Sequence, residues 1–150
     1  MRMRITDGQD IPRMLDQIGA DVKDLRGAMQ DVGESAKLFF GGQVFASRGG
    51  VIGEPWQRLS PDYAAWKAKK YPGRPVLIRR GLMQRSFHYR STPMSVTISN
   101  SAPYFKYHQS DEERSVIPRR VMLKMTSQFH DDVVGIIANS LIRRIKSRIV

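Results

Sequence analysis

Cysteine is absent from this 150-residue chain, which excludes disulfides and every thiolate metal site. Long apolar runs are missing too, and none approaches the roughly 20 residues needed to span a bilayer, so no membrane association is expected. The segment MRMRITDGQD has charge but no apolar stretch behind it, so no secretory signal is expected. Carboxylates are scarce in the middle third: residues 51–100 hold nine basic side chains and only two acidic ones, Glu54 and Asp62. A metal-dependent nuclease needs clustered carboxylates to hold its cation, so Pro61-Asp62 lacks the ligand supply to act as one. The one Asp-x-Lys element, Asp21-Val22-Lys23, lies far upstream.

Other chemistry is equally short of parts. His88, His108 and His130 fall on different elements, none at the close helical spacing of a zinc hydrolase. No G-x-S-x-G elbow occurs. The glycine-rich stretch at 41–53, GGQVFASRGGVIG, lacks the Gly-Lys-Ser/Thr ending of a phosphate loop and reads as a flexible loop that orders on a partner. No enzymatic activity, metal or cofactor is expected.

What is present is a basic excess, a net charge of +11. Residues 1–50 balance seven basic against seven acidic side chains; the surplus starts at EPWQRLSPDYAAWKAKKYPGRP, residues 54–75. Lys67, Lys69, Lys70, Arg74, Arg79, Arg80 and Arg85 form a candidate basic patch, with Trp56, Trp66 or Tyr71 available to stack on bases. The same residues fit a solvated basic face meeting acidic protein, and no recognition helix or RNA-binding motif is legible. A basic nucleic-acid-binding module therefore stays open as the alternative to protein docking, as does non-specific contact with genomic DNA.

The patterning reads as α+β: a small antiparallel sheet of three to four strands packed by long N- and C-terminal helices, in one domain spanning 1–150. Ile11, Leu15, Ile18, Val22, Leu25, Met29, Val32, Ala36 and Phe39 step by four and three, which predicts one long helix over 11–40. That seam either lies on its own domain or is shared between subunits. An α+β core over 54–150 follows. Ser60-Pro61 starts a helix running to about Lys70. Alternation predicts strands at 87–90, 95–99 and 119–125, the last presenting Val121, Leu123 and Met125 on one face. A short aromatic helix at 103–109 precedes an acidic loop, and a final helix begins near Ser127.

The order of landmarks carries a resemblance. Trp56-x-x-Leu59-Ser60-Pro61, Lys67, Leu77-Ile78-x-x-Gly81-Leu82, Val96-Thr97-Ile98, Tyr104 with His108-Gln109, and Ile117-Pro118-Arg119-Arg120-Val121-Met122-Leu123 follow one another over residues 54–125. The set resembles the virion-morphogenesis or tail-completion proteins of tailed bacteriophages, including Mu-like phages. The chain departs from that pattern at Arg80, where the family often has Thr, in the glycine-free acidic loop Ser110–Arg114, and at Met122, where an aromatic is usual. The resemblance implies a structural protein of the head–tail junction or proximal tail end, located in the virion and assembled in the host cytoplasm. It implies a homo-oligomeric ring, often of six subunits, meeting neighbouring neck, connector and tail proteins. Leu15, Val22, Met29, Phe39, Trp56, Trp66, His108 and Gln109 are the candidate interface residues. Gly81, Ser86, Pro118 and Arg120 are read as structural: Gly81 for a tight turn and Pro118 for the entry of a strand.

Overall fold

The computed structural model describes residues 10–112 and 116–149. Their contacts divide into two compact units: one from the N-terminal part to Glu34 with Arg90–Thr97 and the chain from Ser127 onward, the other from Ser35–Tyr89 and Ile98–Thr126.

The first unit holds α1 (Asp10–Lys23), most of α2 (Arg26–Leu38), the turn of a hairpin, and α7 (Ser127–Ile149). The single helix expected over 11–40 is thus two helices, broken at Asp24-Leu25. The break has a local cause. The Asp24 carboxylate accepts from Arg26 N at 3.2 Å, and Leu25 N donates to Pro93 O at 2.9 Å rather than continuing the α1 ladder. An aspartate that satisfies a backbone N–H two residues ahead of itself competes with helix continuation. Beyond the break the apolar stripe is buried within its own chain. Leu25, Ala28 and Met29 form a core against Val96, Ile137 and Leu141.

Before the break the seam faces outward: Leu15 is 59% exposed and Val22 48%. The α1 residue that turns inward is Asp21, gripped bidentately by Arg148 (Nε–Oδ2 2.8 Å, Nη2–Oδ1 2.7 Å). Arg144 Nη1 donates to the carbonyls of Asp21 (3.0 Å) and Asp24 (2.7 Å), supplying partners to the unsatisfied C-terminal end of α1.

In the second unit, the stretch expected as a flexible loop is built of consecutive turns: a π-helical turn Phe39–Gln43, α3 (Val44–Ala46) and a 3-10 turn Gly50–Ile52. Val44, Phe45 and Ile52 within it are core residues. Gly49 makes the fold of this segment, with φ at +80° and Glu54 O only 2.1 Å from where a Cβ would stand. Phe45 lies edge-on to Trp56 at 5.2 Å and to Phe87 at 6.2 Å, and Phe105 meets Phe87 at 5.9 Å.

The sheet has two antiparallel strands among the described residues, β1 (Phe87–Ser91) and β2 (Val96–Asn100). The expected strand over 119–125 is not formed there. Gln109, at the end of α6 (Phe105–Gln109), takes the place of a neighbouring strand: its Oε1 accepts from Met122 N (2.9 Å) and Leu123 N (3.0 Å), and its Nε2 donates to Leu123 O (2.8 Å). Arg120, Val121 and Met122 are buried in succession while Met125 is 64% exposed, which is not the pattern of a strand with one wet face. Pro118 accordingly precedes an irregular segment and not a strand.

Candidate functional site

The second unit holds a groove of about 920 Å³ that can receive another molecule. Its first wall begins with α4 (Pro61–Lys70). Pro61 opens the helix, where its missing N–H is no loss, and Lys67, Lys69 and Lys70 occupy the last turn, where the helix dipole favours cations. Ser60 stands at the cap position without a side-chain capping bond. The opposite side comes from Leu77 to Met83, where Leu77 adopts a left-handed φ of +62° and Gly81, at +78°, leads into α5 (Leu82–Arg85). A left-handed leucine is strained, and such strain is held only where surrounding structure fixes it. Tyr104, His108 and the segment Val116–Pro118 complete the lining.

Two properties mark the groove. Its wall leaves large apolar side chains in water: Leu82 is 47% exposed, Tyr104 41% and Val116 86%. Its charges are of one sign. Arg58, Lys67, Arg79, Arg80 and Arg120 line it, and no carboxylate does among the described residues. Lys67 and Arg120 are buried, at 4% and 5% exposure. Lys67 Nζ donates to Pro75 O, and Arg120 donates from Nε to Gln57 O (2.9 Å) and from Nη2 to Arg58 O (3.3 Å). Burial, and then the neighbouring Arg120 charge, push the Lys67 ammonium below its ordinary pKa; burial likewise lowers Arg120.

Beside the groove runs an aromatic ledge. Tyr63 and Trp66 stack at 5.5 Å, Trp66 meets Tyr71 at 5.9 Å, and the Arg79 guanidinium lies 5.5 Å from the Trp66 ring and 4.8 Å from that of Tyr71. The hydrogen bond from Arg79 lowers the Tyr71 hydroxyl pKa, burial opposing it and Arg80 adding to it.

The residues singled out in the sequence therefore separate. Arg79 and Arg80 stand on the groove rim, and Lys69, Lys70, Arg74 and Arg85 are exposed, whereas Lys67 leaves the surface patch for the groove floor. Trp66 is 41% exposed; Trp56 is buried, its Nε1 donating to Val121 O at 2.7 Å. Gln109 and Met29 are occupied inside their own units, and Phe39 packs edge-on against Phe40 at 5.1 Å. Ser86 O accepts from Ser101 N at 3.1 Å. The apolar lining, Leu77, Leu82, Tyr104, Val116 and Ile117, was not singled out as a site, because scattered apolar residues look like core until the fold leaves them exposed. His88 lies between Ser86 O and Ser99 Oγ, and His130 beside Asp131, so the imidazoles share no site. Among the described residues no group of three or more His, Asp or Glu is placed to hold a metal, and no helix is long and apolar enough to cross a membrane.

The model of the phage virion morphogenesis family matches residues 6–142, most of the chain. This chain belongs to that family. The match spans α1, the groove and most of α7, so the family pattern includes both units. No curated protein sequence and no solved structure matches the chain significantly. The phage virion morphogenesis family is one of virion assembly, which makes this a virion-associated protein.

Proposed function

We propose that this family member is a structural protein of the head–tail junction or the proximal tail end, needed for tail completion and head–tail joining, and that it acts as a ring of identical subunits, six being the expected number. The family match carries the reading. The exposed apolar residues of α1, Leu15 and Val22, support a subunit contact, since large side chains left in water on one helix face mark a surface that is covered in the assembled state. Neighbouring neck, connector and tail proteins are the other partners, and exposed Lys69, Lys70, Arg74 and Arg85 would meet passing DNA without reading its sequence. Velocity sedimentation at two salt concentrations, with and without DNA, tests this. A ring closed by apolar burial persists at high salt, whereas a phosphate-held complex dissociates steeply. A salt-independent monomer, or a monomer that binds DNA tightly, overturns the ring. Subunit-resolution imaging of the particle fixes the position and the copy number.

A further inference from the structure

We infer that the groove of the second unit receives a segment of another virion protein in which acidic side chains stand beside bulky apolar ones. The inference rests on the assembly reading above and names the chemistry of the partner. Five cationic side chains line the groove with no carboxylate among them in the described residues. Two of the five, Lys67 and Arg120, are buried against the neutral carbonyls of Pro75, Gln57 and Arg58, and no carboxylate pairs with them among the described residues. The wall is aliphatic and aromatic: Leu77, Leu82, Tyr104 and Ile117. An incoming carboxylate meets the arginines, and its apolar neighbour covers the exposed wall.

A nucleic acid suits this site less well. Its phosphates would seek open cations, while Lys67 and Arg120 are buried here and aliphatic surface lines the wall, and of the ledge rings only Tyr63 belongs to the lining.

The test uses the purified full chain and a random short-peptide library, with enriched peptides resynthesised and titrated by fluorescence polarisation. The expected result is enrichment of peptides with Asp or Glu next to Leu, Ile, Phe or Trp. Their affinity should fall roughly tenfold or more in the Arg79→Glu/Arg80→Glu double variant. Ile117→Asp should weaken binding through the wall, and Lys146→Glu, on the exposed face of α7 in the other unit, should leave it unchanged; circular dichroism melting confirms that each variant folds. Failure to enrich peptides, enrichment of peptides without acids, or binding indifferent to the rim reversals overturns the inference. So does a DNA duplex that displaces the peptides, or a self-association lost through the same reversals. Sedimentation of the same proteins separates the two readings. A monomer that binds acidic peptides removes the ring and keeps the groove, and a multimer that binds none removes the groove alone.

Discussion

Replacing Trp56 and Trp66 separately distinguishes a tryptophan that holds the fold from one that serves the surface. Trp56 is 8% exposed, lies edge-on to Phe45, and gives its indole proton to the Val121 carbonyl at 2.7 Å. Trp56→Phe keeps most of the apolar ring and removes the donor, leaving a buried carbonyl without that partner at a cost of about 1–3 kcal/mol. Trp56→Ala adds a cavity and is expected to cost about 3–5 kcal/mol. Trp66 is 41% exposed and loses only its contacts with Tyr63, Tyr71 and Arg79, so Trp66→Ala should cost about 1 kcal/mol. In a chain of this length each kcal/mol lowers the melting temperature by roughly 2–4 °C. Urea unfolding followed by tryptophan emission reads the second unit directly, because both tryptophans belong to it, and the single variants assign the signal. If Trp56→Phe shifts stability by less than about 0.5 kcal/mol, the indole bond is not a structural tie. If Trp66→Ala costs as much as Trp56→Ala, the division between anchor and surface ring is wrong.

Gly49→Ala should unfold the second unit or cost more than about 3 kcal/mol, since the new methyl would stand 2.1 Å from Glu54 O and 2.6 Å from Trp56 Nε1 at a left-handed φ; Gly27→Ala, with nothing within 4 Å and a helical backbone, should stabilise by about 0.5–1 kcal/mol in the same melts. The hydrogen bond from Arg148 holds the Asp21 carboxyl below its ordinary pKa against the opposing effect of burial, with the charges of Arg148 and Arg144 assisting. The folded state therefore binds that proton more weakly than the unfolded one. Its stabilisation is full above the unfolded carboxylate range near pH 4 and is lost as pH falls through the lower folded value; Asp21→Asn should melt lower at neutral pH and show a shallower acid decline in pH-resolved melts. Leu77→Gly relieves the left-handed backbone and removes groove wall, so stability should stay within about 1 kcal/mol while peptide titration shows weaker binding. Lys67→Met removes a buried charge and should melt at or above the parent at neutral pH. Because the folded Lys67 pKa is lowered, the unfolded chain binds more protons between the two values, and urea titrations should show the parent gaining on Lys67→Met as pH climbs toward 10.5.

Elements whose signals are local were legible in the sequence. Pro61 starts α4, the basic last turn marks the end of α7, although its first turn holds no acid because the helix begins at Ser127, ahead of Asp131 and Asp132, and alternation with a Thr92-Pro93 turn gives the hairpin. The errors occur where one side chain takes over a role expected of the backbone or of apolar burial. Gln109 bonds the 122–123 backbone that a strand would otherwise have paired, and Asp24 redirects the chain in the middle of an unbroken heptad pattern. Asp21 is the inward residue of α1 because two arginines of α7 reach it, a pairing over more than a hundred residues that no local period encodes. On α4 the assignment inverts: Lys67 goes in and Trp66 stays out. The lysine stem is apolar and its ammonium finds Pro75 O, while the indole is covered from outside by Tyr63, Tyr71 and Arg79.

That inversion bears on how the groove can bind. Removing a cation from water costs several kcal/mol unless an opposite charge meets it, and neutral carbonyls return only part of that. At Lys67 and Arg120 the loss is taken when the chain folds, before any partner arrives. A carboxylate that then enters has no further desolvation of these two cations to overcome, and it finds their positions already fixed by the bonds to Pro75, Gln57 and Arg58. The exposed arginines behave differently, because Arg79 and Arg80 must shed water on contact and are screened by salt until they do. Rim and floor thus divide the work of recognition: the rim governs how fast an acidic segment is found, and the floor how long it stays. Neutralising the floor should therefore raise the stability of the free protein and shorten the lifetime of the complex. Neutralising the rim should slow association and flatten its salt dependence, with a stability cost confined to the Arg79 contacts with Trp66 and Tyr71.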